Sequence, residues 1–101
     1  MSKVLGVHHV TLKDGVTGEA LEQFFQSEYQ ALVAPISGLK VSLLKEDKGV
    51  RTGSYLVLLE CDSVETRDRL FPSSGQPPEE AQPVFRLGDF ASTEFTDYVE
   101  V

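Results

Sequence analysis

The sequence predicts an α+β fold in the order strand-helix-strand-strand-helix-strand, built on one four-stranded antiparallel sheet. Three observations carry this. Ser54–Phe71 holds an unbroken apolar run, Tyr55–Leu59, that passes directly into a capped helix stopped by Pro72. Val4–Lys13 is a second run of strand length, largely apolar on both of its sides. Between them, residues 17–34 repeat their apolar side chains at helical spacing. In the Tyr55–Leu59 run, Tyr55, Val57 and Leu59 point one way and Leu56 and Leu58 the other. A strand apolar on both sides must be covered on both sides.

The elements follow in order. Val4–Lys13 is the first strand, with Val4, Gly6, His8, Val10 and Leu12 on one side and Leu5, Val7, His9 and Thr11 on the other. Lys13-Asp14-Gly15 turns the chain. Thr17 caps a helix that runs to about Ala34, with Leu21, Phe24, Phe25, Ala31 and Leu32 as its buried stripe. At about 100° per residue, Glu28 falls inside that stripe. Pro35 and Gly38 end the helix. Leu39–Asp47 is the second strand, alternating Leu39, Val41 and Leu43 against Lys40 and Ser42. Residues 48–53 make a hairpin loop, and Ser54–Cys61 is the third strand. Asp62 or Ser63 caps the second helix, which packs through Val64, Leu70 and Phe71. Phe71–Pro83, with four prolines and a glycine, reads as a long loop. Val84–Gly88 reads as one helical turn. Glu94–Val101 is the last strand, with Phe95, Val99 and Val101 on one side and Tyr98 on the other.

Two right-handed crossovers place the first and third strands in the middle of the sheet and both helices on one face. This is the ferredoxin-like arrangement. The first and third strands are apolar on the opposite face too, so a second copy of the chain is expected to cover it.

Composition bounds the function. The 101 residues are expected to form one domain, 1–101, with 41% hydrophobic and 25% charged residues, ordinary values for a soluble globule. The net charge is −7, and it is uneven: residues 1–51 carry six Lys/Arg against six Asp/Glu, residues 52–101 three Arg against ten Asp/Glu. An acidic half repels phosphate backbones, so nucleic acid is not an expected partner. An RNA-recognition module would share the strand order, but it stacks bases on exposed aromatics, and the third strand here is aliphatic after Tyr55. No stretch is long and apolar enough for a membrane span or a secretion signal. The single Cys61 rules out an internal disulfide and fits a reducing compartment, so a cytoplasmic location is expected.

The residues Val7-His8-His9-Val10-Thr11-Leu12-Lys13-Asp14-Gly15, the Phe24-Phe25 helix and Tyr55…Glu60-Cys61-Asp62-Ser63-Val64-Glu65 resemble the dimeric α/β-barrel superfamily, and most of all its stress-responsive branch. The resemblance covers essentially the whole chain. It implies a homodimer whose two sheets pair into a barrel, often with a small molecule inside. It also implies a spread of activities: cofactor-independent monooxygenases, polyketide cyclases, haem-degrading enzymes and proteins of no known activity. The cyclase-like relatives use a histidine on the first strand and another just after the second helix. This chain has the first, but its Phe71-Pro72-Ser73-Ser74-Gly75-Gln76 segment has no second. The lack of tryptophan argues against the haem-degrading analogy.

His8 is the main candidate for chemistry. With Gly6, Val10 and Leu12 it is expected to face the partner sheet, where a neutral imidazole can act as a general base toward an acidic C–H or phenolic proton. The plainer reading is a structural histidine hydrogen-bonded across the interface, and it is favoured. His9 then faces the helices and meets Glu28. As neighbours on a strand the two histidines point apart and cannot chelate one metal, so no metal site is expected, and no cofactor. Glu60 follows Leu56 and Leu58 on the barrel side and is the second acid–base candidate, although a charge at a strand end more often reaches solvent. Val10, Leu56, Leu58 and Tyr98 are expected to line a cavity for a small apolar or aromatic ligand. Cys61 is expected to pack against the helices as a small hydrophobe. Arg67, with Arg69 beside it, is a candidate to bind a carboxylate near the long loop, although surface pairs with Glu65 or Asp68 are favoured. A ligand-binding or stress-associated non-catalytic dimer ranks first. The alternative is a cofactor-independent monooxygenase or cyclase-like enzyme with His8 as base.

Overall fold

The computed structural model describes residues 2–50 and 53–101. Strands β1 (Val4–Leu12), β2 (Leu39–Lys45), β3 (Tyr55–Cys61) and β4 (Ala91–Val99) form one sheet in the order β2-β3-β1-β4. All neighbours are antiparallel, so the expected ferredoxin-like topology holds, with the two doubly apolar strands at the centre. Glu46 N–H to Ser54 O and Gly53 N–H to Glu46 O, both 2.8 Å, close the β2–β3 connection. The tip of that expected hairpin, Arg51 and Thr52, lies outside the described residues.

Residues 18–33 form one continuous helix, α1. The Thr17 side chain caps it by accepting from Ala20 N–H at 3.1 Å, as the sequence signals. Its middle differs from expectation. Phe25–Tyr29 is a π-helical turn between the α-helical stretches Gly18–Phe24 and Gln30–Val33, and Gln30 N–H reaches back to Phe25 O. A wider i→i+5 turn delays the angular phase. The buried stripe therefore passes from Leu21, Phe24 and Phe25 to Tyr29 and Val33, and Ala31 turns to solvent. Glu28, expected within the stripe, is rotated out and its side chain is 60% exposed, 4.0 Å from Arg86.

Helix α2 (Val64–Leu70) is capped by Ser63, whose hydroxyl accepts from Thr66 N–H at 3.1 Å. Gly38, at φ 80°, leads into β2 and receives Asp62 N–H on its carbonyl at 3.0 Å. A Cβ there would stand 3.0 Å from the Asp62 carboxylate, so glycine fits both the turn and the close approach.

The expected Phe71–Pro83 loop is shorter than the sequence suggests, and the single turn at Val84–Gly88 belongs to something longer. Glu79–Asp89 is an eleven-residue 3-10 helix. Its buried residues, Ala81, Val84 and Leu87, recur every third position, the period at which 3-10 side chains eclipse. Tyr29 pins this segment: it is fully buried, and its hydroxyl donates to Val84 O at 2.7 Å. The last strand begins at Ala91, three residues before the expected Glu94, and ends at Val99.

Register fixes which face is which. His8 lies opposite Val57, Gly6 opposite Leu59 and Val4 opposite Cys61, so all six share one face. Val41 lies opposite Leu59 and joins them. Val4, Val41, Val57, Leu59 and Cys61 are all buried against the helical layer. The other face carries Leu5, Val7, Leu56, Leu58, Glu60 and Tyr98. Among the described residues no helix lies over this face, whose side chains are half-buried or exposed in a single copy.

Candidate functional site

The sheet, α2 and the 3-10 helix do not close on one another. Between them lies a cavity of about 800 Å³. Its floor is sheet: Gly6 and His8 from β1, Val57 and Leu59 from β3, Phe95 and Asp97 from β4. Arg67 of α2, Phe71 and the buried side of the 3-10 helix wall it. Alternation on the strands aims His8, Phe95 and Asp97 the same way, since His8 is opposite Phe95 and Gly6 opposite Asp97.

Several polar groups of the lining contact one another. Arg67 Nη1 donates to Asp97 Oδ2 at 2.8 Å, and Arg67 Nε to Asp68 Oδ1 at 2.7 Å. His8 Nδ1 is 3.4 Å from Thr93 Oγ1. In the tautomer that donates Nδ1–H to Thr93, Nε2 is left as the acceptor over Gly6. Phe95 stacks on the imidazole, ring centroids 5.2 Å apart and planes 19° off parallel, while remaining 63% exposed. Burial of the imidazole lowers the His8 pKa from its ordinary 6.5, and the nearby Asp97 carboxylate opposes that shift. His8 is thus neutral at pH 7 and can accept a proton. Cys61 also lines the cavity, but burial pushes its thiol up to about 11, so it is a packing residue rather than a nucleophile.

The lowered His8 pKa has a consequence for stability. The unfolded chain binds this proton more readily than the folded chain. Stability therefore rises with pH through the window between the lowered value and 6.5, and is lost as acid protonates His8. Replacing His8 with Asn is expected to flatten the rise of Tm with pH just below 6.5. Parallel profiles for the two proteins, measured by thermal melts, would contradict this.

The remaining sequence candidates are divided between the two faces. His8 and Val10 were expected toward a partner sheet, with Leu56, Leu58 and Glu60. The register puts both on the helix side instead, and leaves Leu56, Leu58, Glu60 and Tyr98 on the open face. His8 and Glu60 are therefore on opposite sides of the sheet and cannot act on one molecule. Glu60 sits 3.7 Å from Lys3 and 4.0 Å from Lys40. Val10 lines a different hollow, of about 490 Å³, with Leu12 and Tyr55. The expected His9–Glu28 contact does not form, because His9 is on the open face, opposite Leu56 and Glu94. Asp97 and Phe95 complete the site without having been singled out, and Arg67 belongs to it rather than to the surface alone. The signal was present: Phe95, Asp97 and Val99 alternate onto one side of the last strand.

No protein-family model matches the chain, and no curated protein matches it significantly. Solved structures do. A dabb family protein with a ferredoxin-like fold from Mesorhizobium loti superposes with a TM-score of 0.69 at 13% identity, over 100% of this chain and 99% of that one. SnoaB, a cofactor-independent oxygenase from Streptomyces nogalater, gives 0.68 at 17% identity, over 100% of this chain and 95% of that one. The fold is the ferredoxin-like fold that these structures share. A third neighbour, a dimeric protein of unknown function with a ferredoxin-like fold from Bacteroides fragilis, gives 0.62 at 19% identity, covering 95% of this chain and 94% of that one. At such identities the likeness is one of fold. Among the described residues, no group of three or more His, Cys, Asp or Glu is placed to hold a metal, and no helix is long and apolar enough to cross a membrane.

Proposed function

We propose that the protein is a homodimer, paired through the open sheet faces, and that each subunit binds a small apolar or aromatic molecule in the cavity over His8. The carrying observation is the cavity itself: about 800 Å³, apolar along most of its wall, with His8, Arg67 and Asp97 in its lining. That volume lies in the range of drug-sized ligand sites. Few polar groups in an apolar enclosure orient a ligand rather than merely solvate it. Pairing through the open face supplies the missing layer for Leu5, Val7, Leu56 and Leu58, and the dimeric Bacteroides fragilis neighbour supports it.

The sequence placed the ligand between the two sheets; the present reading moves it to the helix side, where His8 points. A carrier or sensor role, including a stress-associated one, needs nothing beyond this binding. One observation favours a second reading as a cofactor-independent oxygenase or cyclase-like enzyme. A neutral His8, with Nε2 toward the cavity, is placed to take a proton from a bound acid.

A planar aromatic probe, 2-naphthol, tests the binding reading by NMR titration of the labelled protein. Amide shifts confined to Gly6, His8, Phe95 and Asp97 and their neighbours are expected. Shifts confined to Leu56, Leu58 and Tyr98 on the open face, or none at all, would contradict it.

A further inference from the structure

We infer that Asp97 is a specificity-determining residue of this cavity: its carboxylate sits on the Arg67 guanidinium that an acidic ligand would need, and so limits the cavity to ligands that carry no carboxylate. The inference rests on the binding reading above and adds to it the charge of the ligand.

Arg67 is the only lysine or arginine in the cavity lining among the described residues. His8, the other basic side chain there, is neutral at pH 7. A lone guanidinium in a largely apolar enclosure is the group that recognises a ligand carboxylate, through paired N–H donors in a planar fork. In this chain that place is taken from within. Register sets Asp97 opposite Gly6, and alternation aims its side chain to the helix side, toward α2. Arg67 Nη1 donates to Asp97 Oδ2 at 2.8 Å, and Arg67 Nε to Asp68 Oδ1 at 2.7 Å. Asp97 is the decisive partner of the two. Its side chain is 27% exposed and that of Arg67 26%, whereas Asp68 is 59% exposed and its charge is screened by water.

Charge balance then decides which ligands fit. In the lining, one guanidinium faces two carboxylates, and the Cys61 thiol stays protonated because burial pushes it up to about 11. An entering carboxylate meets like charge and finds Nε and Nη1 of Arg67 occupied. To reach them it must displace Asp97, which leaves that shielded carboxylate without its partner. A neutral aromatic molecule disturbs neither group. The ligand class is therefore an uncharged aromatic molecule rather than an aromatic acid. A pair that served only to tie α2 to β4 would alter stability on substitution and leave the choice between such ligands unchanged.

The test compares 2-naphthol with 2-naphthoate, which has the same rings and an ionised carboxylate at pH 7. Binding of both should be measured on wild type, Asp97→Asn and the double variant Asp97→Asn/Arg67→Gln. Asn keeps the shape and an acceptor for Arg67 and removes the charge. Wild type is expected to favour 2-naphthol by about tenfold or more, the worth of a hydrogen bond to a charged group. In Asp97→Asn, 2-naphthoate is expected to gain about tenfold while 2-naphthol stays within about twofold of wild type. The double variant is expected to lose that gain, because Arg67 supplies it. Naphthoate bound by wild type as tightly as naphthol, or an Asp97→Asn variant that shifts both probes equally, overturns the role of Asp97. Should Asp97→Asn not fold, the wild-type comparison still decides. Failure of wild type to bind either probe overturns the binding reading itself.

Discussion

Leu58→Glu is expected to convert the proposed dimer into a monomer. Leu58 is on the open face of central strand β3, directly opposite Val7, with Leu5 and Leu56 beside it on the same face. Leu44 and Tyr98, 47% and 55% exposed in a single copy, extend this apolar surface toward the two sheet edges. In a two-fold pair each substitution appears twice, so two carboxylates enter one apolar interface. An unpaired buried charge costs several kcal/mol, enough to weaken association by about a thousandfold or more. The residue touches none of the helix-side core, so the subunit is expected to keep its circular dichroism. Light scattering after size exclusion should read 11.1 kDa for the variant and twice that for wild type. A variant that stays dimeric would place the interface elsewhere.

Tyr29→Ala is expected to be the most damaging single truncation in the subunit. Its ring packs 4.9 Å from Phe25 and 5.6 Å from Phe24, and it is fully buried. Removing a buried aromatic side chain costs about 3–5 kcal/mol, a large share of a total of about 5–15 kcal/mol. Tyr29→Phe keeps the ring and removes only the bond to Val84 O. That is expected to cost about 1 kcal/mol, the net worth of one buried hydrogen bond. The two losses should separate in urea unfolding, with Ala well below Phe. Because the 3-10 helix hangs on this bond and walls the cavity, both variants are also expected to bind 2-naphthol more weakly. Stability near wild type in Tyr29→Ala would mean that the helix is held by something other than this anchor.

The fold was legible because its signals are local. Thr17 and Ser63 cap the helices they announce, and the Tyr55–Leu59 run sits at the centre of the sheet. What was not legible depends on geometry that periodicity averages away. The π-helical turn at Phe25–Tyr29 shifts the phase of α1, which a fixed 100° step cannot anticipate, so Glu28 read as buried and Tyr29 did not. The 3-10 helix hid behind Pro83, a residue that ordinarily argues against helix.

The site was half legible, for a related reason. His8 stood out as a candidate, and β3 was correctly divided, with Val57 and Cys61 toward the helices. But β1 is apolar on both sides, so hydrophobicity could not say which side matches Val57. Only the non-local pairing of His8 with Val57 decides that, and one residue of register exchanges His8 for His9. Asp97 was overlooked because an acidic residue on an edge strand reads as solvated. Only the distant Arg67 makes it part of a site.

The most direct measurement is a crystal structure of the protein grown with 2-naphthol. The expected complex has one naphthol in each subunit, in the helix-side cavity beside Phe95 and within reach of His8. Naphthol lodged instead between the two sheets, against Leu56, Leu58 and Tyr98, would contradict the assignment of the helix-side cavity as the functional site.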